Sequence, residues 1–469
     1  MPSLVWFRRD LRISDNTALH TAAKESEAII GLFVITPQQW KQHDDADTKV
    51  SFWIRNLESL SADLEKLNIP LLITTCPTWE SVPKQIAKLA KQHQCENVYF
   101  NREYELNEHQ RDQAVALRLE SDGVIVQSFH DRIIVPPQEI STKDGRFYSV
   151  FTPYRKVWDT KAMDHLKVLS KPRAMQPIDV EASPVPTAVK GFDFSNDRSD
   201  LWVAGEKEAK KKLKKFADHV SGYKDHRDTP SVAGTSLLSS YLAAGVVSPR
   251  QCMAMALKTG GGRYDDDEGI KTWVSELTWR DFYTHVMVGF PRVSMNRPFK
   301  LATDRVAWRD DSDDFTAWCE GRTGYPIVDA GMRQLNQTGW MHNRLRMVTA
   351  MFLTKNLLID WRKGEKYFMQ KLIDGDLAAN NGGWQWSAST GTDAVPYFRI
   401  FSPFSQSKRF DNEGKFIKKL CPELEAVPSP ALHDEKKLSA AREKHAPEYP
   451  DYVVNYKQSR ERALAAFKK

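Results

Sequence analysis

The sequence predicts an α/β domain built on a doubly wound, five-stranded parallel sheet, followed by a C-terminal region that is all helical. Three observations predict it. Apolar runs alternate with amphipathic stretches up to about His130. Prolines then crowd the segment from Asp131 to Asp200, and strand-like alternation is nearly absent from Leu201 onward.

In chain order, the runs SLVWF, AIIGLFVIT, PLLITT, ENVYFN and VIVQSFH read as strands. Their largely apolar character is that of buried strands. The stretches TALHTAAKES, VSFWIRNLESLSADLEKLN, VPKQIAKLAKQH and NEHQRDQAVALRLES lie between them with helical spacing. In the second, Ile54, Leu57, Leu60, Leu64 and Leu67 keep one face apolar. Such alternation makes βαβ units with right-handed crossovers and places a ligand beyond the carboxyl ends of the strands. No GxGxxG follows the first strand and no GxxxxGK[ST] occurs, so the usual glycine devices for phosphate are missing.

Residues 131–200 carry Pro136, Pro137, Pro153, Pro172, Pro177, Pro184 and Pro186 and read as a long ordered connection with short helices. The run FYSVFTPYRKVW is too aromatic for a solvated linker. Beyond it, EKEAKKKLKKF is a basic amphipathic helix with Leu213 and Phe216 on its buried side, and TGGGRYDDDEG is a solvated loop. The expected domains are therefore 1–130, 131–200 and 201–469.

Composition narrows the class. The chain has 469 residues, 41% hydrophobic and 27% charged, which suits a soluble protein of several folded units. Its longest apolar runs fall short of a membrane span, and MPSLVWFRRDLRIS is not a signal peptide. Five scattered cysteines without a CxxC pair fit a reducing, cytoplasmic setting and no zinc site. A net charge of +6 tolerates a polyanionic partner without demanding one. Of 14 tryptophans, ten lie from Trp158 onward, and packing accounts for them on composition alone.

Four stretches concentrate chemistry. In GTSLLSS, hydroxyls and small residues precede a helix beginning near Leu237, which suits either a phosphate or an ordinary cap. In KTWVSELTWRDFYTHV, helical spacing puts Glu276, Trp279 and Tyr283 on one face and Trp273, Leu277 and Arg280 on the next. Glu276 is then either a surface carboxylate or a pocket acid whose surroundings tune its protonation. In TGWMHNRLRM, basic groups mix with flat and polarisable side chains, which suits a stacked, extruded base or the outer side of a bundle helix. In IDGDLAANNGGWQW, Asp374, Asp376, Asn380 and Asn381 crowd a glycine-broken turn before Trp384 and Trp386. Buried acids and amides at that density need partners such as a heteroaromatic ring system supplies.

Together with LVWFRRDLRISDN, RTGYPIVDA, SASTGTD and YFRIFSPFSQSKRFD, these runs resemble the DNA photolyase and cryptochrome family over essentially the whole chain. The similarity is to bacterial class I enzymes of the folate type that split cyclobutane pyrimidine dimers. It implies that the helical domain holds FAD, contacted by Tyr223, Thr235, Ser236, Leu238, Ser239, Trp273, Arg280, Asp374, Asp376 and Asn380. Asn380 matches the position facing flavin N5, where asparagine goes with repair and aspartate or cysteine with cryptochromes. Glu276, Trp279, Asn343, Met347 and Trp386 match the lesion pocket, and Asn343 stands where six-four repair enzymes place histidine. Arg227, Arg344, Arg346 and Arg399 match phosphate contacts to DNA. Trp384, Trp361 and Trp308 match the path that carries electrons to photoexcited flavin.

The resemblance also implies an antenna chromophore, 5,10-methenyltetrahydrofolate, at His43, Asn107 and Glu108, with a deazaflavin, a flavin or an empty pocket as the alternatives. Ser294 and Met295 depart from the cysteine and lysine that close relatives place there, and Leu237 replaces an arginine found in some. The implied activity is light-driven electron transfer to dimers in DNA, by a monomer without an obligate protein partner. A blue-light photoreceptor, a cryptochrome acting on single strands and a flavoprotein electron carrier are the competing readings.

Overall fold

Five short strands, β1 (Ser3–Phe7), β2 (Ile29–Ile35), β3 (Leu71–Thr75), β4 (Asn97–Asn101) and β5 (Ile125–Phe129), form one sheet in the order β3-β2-β1-β4-β5. Every pair is parallel, and Val5 faces Gly31 on one side and Tyr99 on the other. The crossovers are helical: α1 (Thr17–Glu25), α2 (Asp47–Glu65), α3 (Val82–Gln92) and α4 (Leu106–Ser121). Every residue of β1 and β2 is buried, as expected of central strands covered on both faces. In α2 the predicted face, Ile54, Leu57, Leu60 and Leu64, is buried. Strand order reverses between β1 and β4, so the crevice beyond Phe7 and Asn101 is where such a sheet takes a ligand.

This computed structural model describes residues 1–468. They form two units, Met1–Val220 with Ser236–Pro291 and Ile373–Ala378, and Ser221–Thr235 with Arg292–Leu372 and Ala379–Lys469. The first holds the sheet together with α5 (Phe151–Lys161) and α6 (Glu268–Gly289). At its centre Arg250 bonds Asp15 and Asp131 at 3.0 and 2.8 Å, and Arg12 also bonds Asp131. All four side chains are buried. Burial alone would raise the Asp131 carboxyl, but Arg12 and Arg250 outweigh it and hold it well below the usual range.

The second unit is built on α7 (Pro326–Thr338), α8 (Asn343–Met351), α9 (Trp361–Lys371) and most of α10 (Leu377–Ala388). A π turn, Phe352–Asn356, follows α8. Its core gathers Trp318, Tyr325, Leu345, Phe352, Trp361, Phe368 and Trp384. The run RTGYPIVDA is architectural here. Buried Asp329 accepts from Thr323 N at 2.7 Å, Thr323 Oγ1 at 2.6 Å and Gly324 N at 3.1 Å, closing the turn that leads into α7. Among the described residues no helix is long and apolar enough to cross a membrane.

Candidate functional site

Side chains converge in the crevice beyond β1 and β4. Arg9, two residues beyond β1, reaches Glu105 at 2.6 Å and also pairs with Glu103; both acids follow β4. Arg111 on α4 meets Glu103 at 2.7 Å. Arg132 joins Glu105 at 3.4 Å to Asp376 at 2.9 Å. His43, Asn107 and Glu108 come together at one side. His43 Nδ1 lies 3.6 Å from Glu108, its Nε2 lies 3.4 Å from Asn107 Nδ2, and its ring meets Trp79 edge-on at 4.9 Å. Burial, then the neighbouring Glu105, pushes the Glu108 carboxyl up to about 8, despite Arg9 and Arg111.

The first unit also carries the flavin and lesion candidates of α6. Glu276, Trp279 and Arg280 are partly buried and Trp273 is buried against Phe216, ring centroids 5.1 Å apart. Arg280 donates to the carbonyl of Arg132, which itself holds Asp376. Burial lowers the Arg280 guanidinium, and Asp376 opposes that shift. Asp374 is buried and Asp376 partly so. The helix expected near Leu237 starts at Ser239 instead, because Leu237 takes a left-handed φ of 51° that no helix can include. Leu238 is buried, whereas Ser239 is exposed and Ser236 partly so.

In the second unit Asp228 gathers two candidate phosphate ligands. Arg344 donates to it at 2.9 Å, and Arg227 Nε lies 3.9 Å away. Arg227 lies over Tyr223, and Arg344 lies over Phe410 with Nη1 3.9 Å from Met347 Sδ. Arg346 is turned to the carbonyl of Met341 at 2.8 Å. Asn343 opens α8 and is exposed, as is Arg399; Thr235 is partly buried. His342 caps α8 by accepting from Arg344 N, and burial lowers its imidazole to about 4, so it is neutral at pH 7.

Asn380 and Asn381 lie within α10 and not in a turn. The helix survives its glycines because Asn380 Nδ2 donates to Glu365 O at 3.0 Å, Asn381 to Glu365 Oε1 at 2.9 Å, and Gln385 to Asn381 at 2.9 Å. With its amide nitrogen so engaged, Asn380 keeps its oxygen for another partner. Trp384 is buried, Trp386 partly so, and Gly364 on α9 touches the Trp384 ring so closely that an added Cβ would fall 2.1 Å from it. Trp361 opens the same helix. Trp308 is partly buried at the rim of that core, with Phe467 edge-on at 5.8 Å.

Residues 3–174 match the family described as DNA photolyase, and residues 273–469 match the FAD binding domain of DNA photolyase. A protein of Vibrio cholerae named deoxyribodipyrimidine photo-lyase is 44% identical over 99% of each chain. The chain belongs to the DNA photolyase family.

Solved structures of the family agree with the fold. A bacterial class III photolyase from Agrobacterium tumefaciens superposes with a TM-score of 0.89 at 35% identity, covering 100% of this chain and 97% of that one. A cryptochrome from Synechocystis gives 0.87 at 29% identity, covering 99% of each.

The donor chemistry fits the FAD that this photolyase-family sequence implies. Hydroxyls at Ser236 and Ser239 flank the strained Leu237, suiting phosphates, and a guanidinium and carboxylates stand at Arg280, Asp374 and Asp376. In the second unit, an added Cβ at Gly383, three residues after Asn380 on α10, would meet nothing within 4 Å. Sequence reasoning missed Arg132, Glu103, Glu105 and Asp228, whose partners include side chains distant in the chain: Arg9 for Glu103 and Glu105, Asp376 for Arg132 and Arg344 for Asp228. The acid-rich run REYELNEH was the one available signal.

Glu108 makes a pH-dependent prediction. Its folded carboxyl titrates near 8 against an ordinary 4.5, so folding takes up a proton between those values. The stability carried by the protonated form is complete below the ordinary value and is lost as pH rises through the folded one. Glu108→Gln is therefore expected to match the parent only below about pH 4.5, at about pH 4, and to be the more stable at about pH 9. Urea midpoints at the two pH values test this, and equal midpoints at the higher one would contradict it.

Proposed function

We propose that this protein repairs cyclobutane pyrimidine dimers in DNA when illuminated with blue light, acting as a deoxyribodipyrimidine photo-lyase with FAD. The observation that carries the reading is 44% identity over 99% of the chain to a protein of that name. Arg227 and Arg344 collected on Asp228 support it, since they set two cations beside Met347 and Tyr223.

Bound FAD, in its reduced form, supplies the light-driven electron that opens the dimer and takes it back. Tyr223, Thr235, Ser236, Leu238 and Ser239 hold its phosphates and neighbouring groups; Trp273, Arg280, Asp374, Asp376 and Asn380 hold the remainder. Trp279, Trp386, Asn343 and Met347 receive the extruded lesion, whose poor stacking lowers the cost of flipping. Glu276 offers the dimer a hydrogen bond or proton. Arg227, Arg344, Arg346 and Arg399 bind phosphates, so affinity falls with salt. Trp384, Trp361 and Trp308 relay electrons inward from solvent. His43, Asn107 and Glu108 bind a folate antenna at the switch point of the sheet. The protein works as a cytoplasmic monomer.

The test is dimer loss from ultraviolet-damaged duplex DNA with flavin-reduced protein. Loss is expected in blue light and not in darkness. No loss in light, with reduced flavin bound, would overturn repair of these dimers and favour photoreception or another lesion.

A further inference from the structure

The aromatic run FYSVFTPYRKVW has no part in the roles assigned above. In the structure α5 turns Phe151, Tyr154 and Trp158 onto one side, at helical spacings of three and four residues, and that side packs on α6. Trp158 Nε1 donates to Asp281 Oδ2 at 2.9 Å, Arg155 Nη1 donates to Ser275 Oγ at 2.9 Å, and the Tyr154 ring lies 5.1 Å from Phe282. These ties fix α5 along α6. At the end of the row Phe151 lies face to face with Trp279, centroids 3.6 Å apart and planes 4° from parallel.

Rings this close and this parallel overlap almost fully, an arrangement that their quadrupoles disfavour against offset or edge-on pairs. Something else must hold them. Phe282 does so, meeting Phe151 edge-on at 5.7 Å and 76°, and Trp279 at 5.6 Å and 79°. Phe151 and Phe282 are buried, but Trp279 is only partly so. One face of the indole is therefore covered at van der Waals contact and its plane is fixed. The Tyr283 ring lies beside the indole as well, centroids 5.5 Å apart at 32°, and the rest of the indole reaches solvent.

We propose that Phe151 is the positioning residue of Trp279, holding the indole plane so that an extruded pyrimidine stacks on the part of the ring that Phe151, Phe282 and Tyr283 leave exposed. This rests on the reading that Trp279 touches the lesion. An indole already oriented loses little freedom when a base arrives, so Phe151 contributes to lesion affinity and not to the splitting step. The linker run thus has a part in recognition, acting through α6.

The experiment compares full-length flavoproteins carrying Phe151→Leu, Phe151→Tyr or Trp279→Ala with the parent. Dark binding to duplex DNA with one thymine dimer, binding to the undamaged duplex, and photolysis yield at saturating substrate are measured. Phe151→Leu is expected to weaken dimer binding roughly fivefold to tenfold while yield, flavin content and undamaged-duplex binding hold. Phe151→Tyr, which keeps a flat ring, is expected to restore the affinity. Parent-like dimer binding by Phe151→Leu beside weak binding by Trp279→Ala would overturn the inference alone. Equal weakening on both duplexes, or failure of the tyrosine to rescue, would also overturn it. Parent-like binding by Trp279→Ala would overturn the underlying reading and the inference with it. Should Phe151→Leu fail to fold, Phe151→Met takes its place with the same expected outcomes.

Discussion

Gly245→Ala is expected to remove on the order of 4 kcal/mol of folding stability, a large share of the about 5–15 kcal/mol that holds a domain folded. Gly245 has a φ of +68°, and a Cβ there would fall 1.9 Å from Arg9 O, 2.5 Å from Arg9 C and 2.6 Å from Asp10 Cα. All three atoms are backbone, so no side chain can swing aside. The joint cannot easily open either, because Arg12 Nη1 donates to Gly245 O at 2.9 Å and buried Arg12 is held by Asp131. Arg9 is the residue that gathers Glu103 and Glu105 in the crevice, so displacing its backbone disturbs that network too. Gly123→Ala is the control. It has a φ of +79° but nothing within 4 Å of its added Cβ, so only the conformational strain of about 1–2 kcal/mol remains. Urea midpoints at unchanged slope measure both variants. A Gly245→Ala protein no less stable than Gly123→Ala would show that the close approach relaxes freely.

The contrast explains what was legible in the sequence. The five strands and four crossover helices could be read because both signals are local: β1 and β2 are apolar at nearly every position, and α2 repeats its apolar face through Ile54, Leu57, Leu60 and Leu64. Gly245 could not be read, since the backbone of Arg9 and Asp10, far away in the chain, is what makes alanine clash there. Arg12, Asp15, Asp131 and Arg250 look like surface charges in one dimension, yet all are buried and compensate one another. The candidate site shows the same division. Asp374 through Trp386 stood out as an unusual run, but the ties of Arg132 to Asp376 and of Asp228 to Arg344 join side chains remote in sequence. The helical course of Asn380 and Asn381 is tied down by bonds to Glu365 that no periodicity announces.

Trp308→Phe is expected to slow light-driven reduction of the flavin roughly tenfold or more, about 1.4 kcal/mol in barrier, and to leave repair by chemically reduced protein unchanged. Trp384 is buried in the core, touched by Gly364 of α9, the helix that Trp361 opens. Arg309 N donates to Leu358 O at 2.7 Å and bridges to Ile359, tying the chain beside Trp308 to the segment leading into Trp361. Exposure rises from the buried Trp384 and Trp361 to the partly buried Trp308. An oxidised ring at Trp308 would thus lie nearest water and be the one to draw an external electron. Phenylalanine keeps much of the packing against Phe467, which sits edge-on at 5.8 Å, but a benzene ring is far harder to oxidise than an indole. The two readouts separate the roles. Slowed photoreduction with intact repair places Trp308 on the route that recharges the cofactor, outside the repair step. Unchanged photoreduction would move the electron's entry point to another residue, and loss of both activities would mark Trp308 as a packing residue of the second unit.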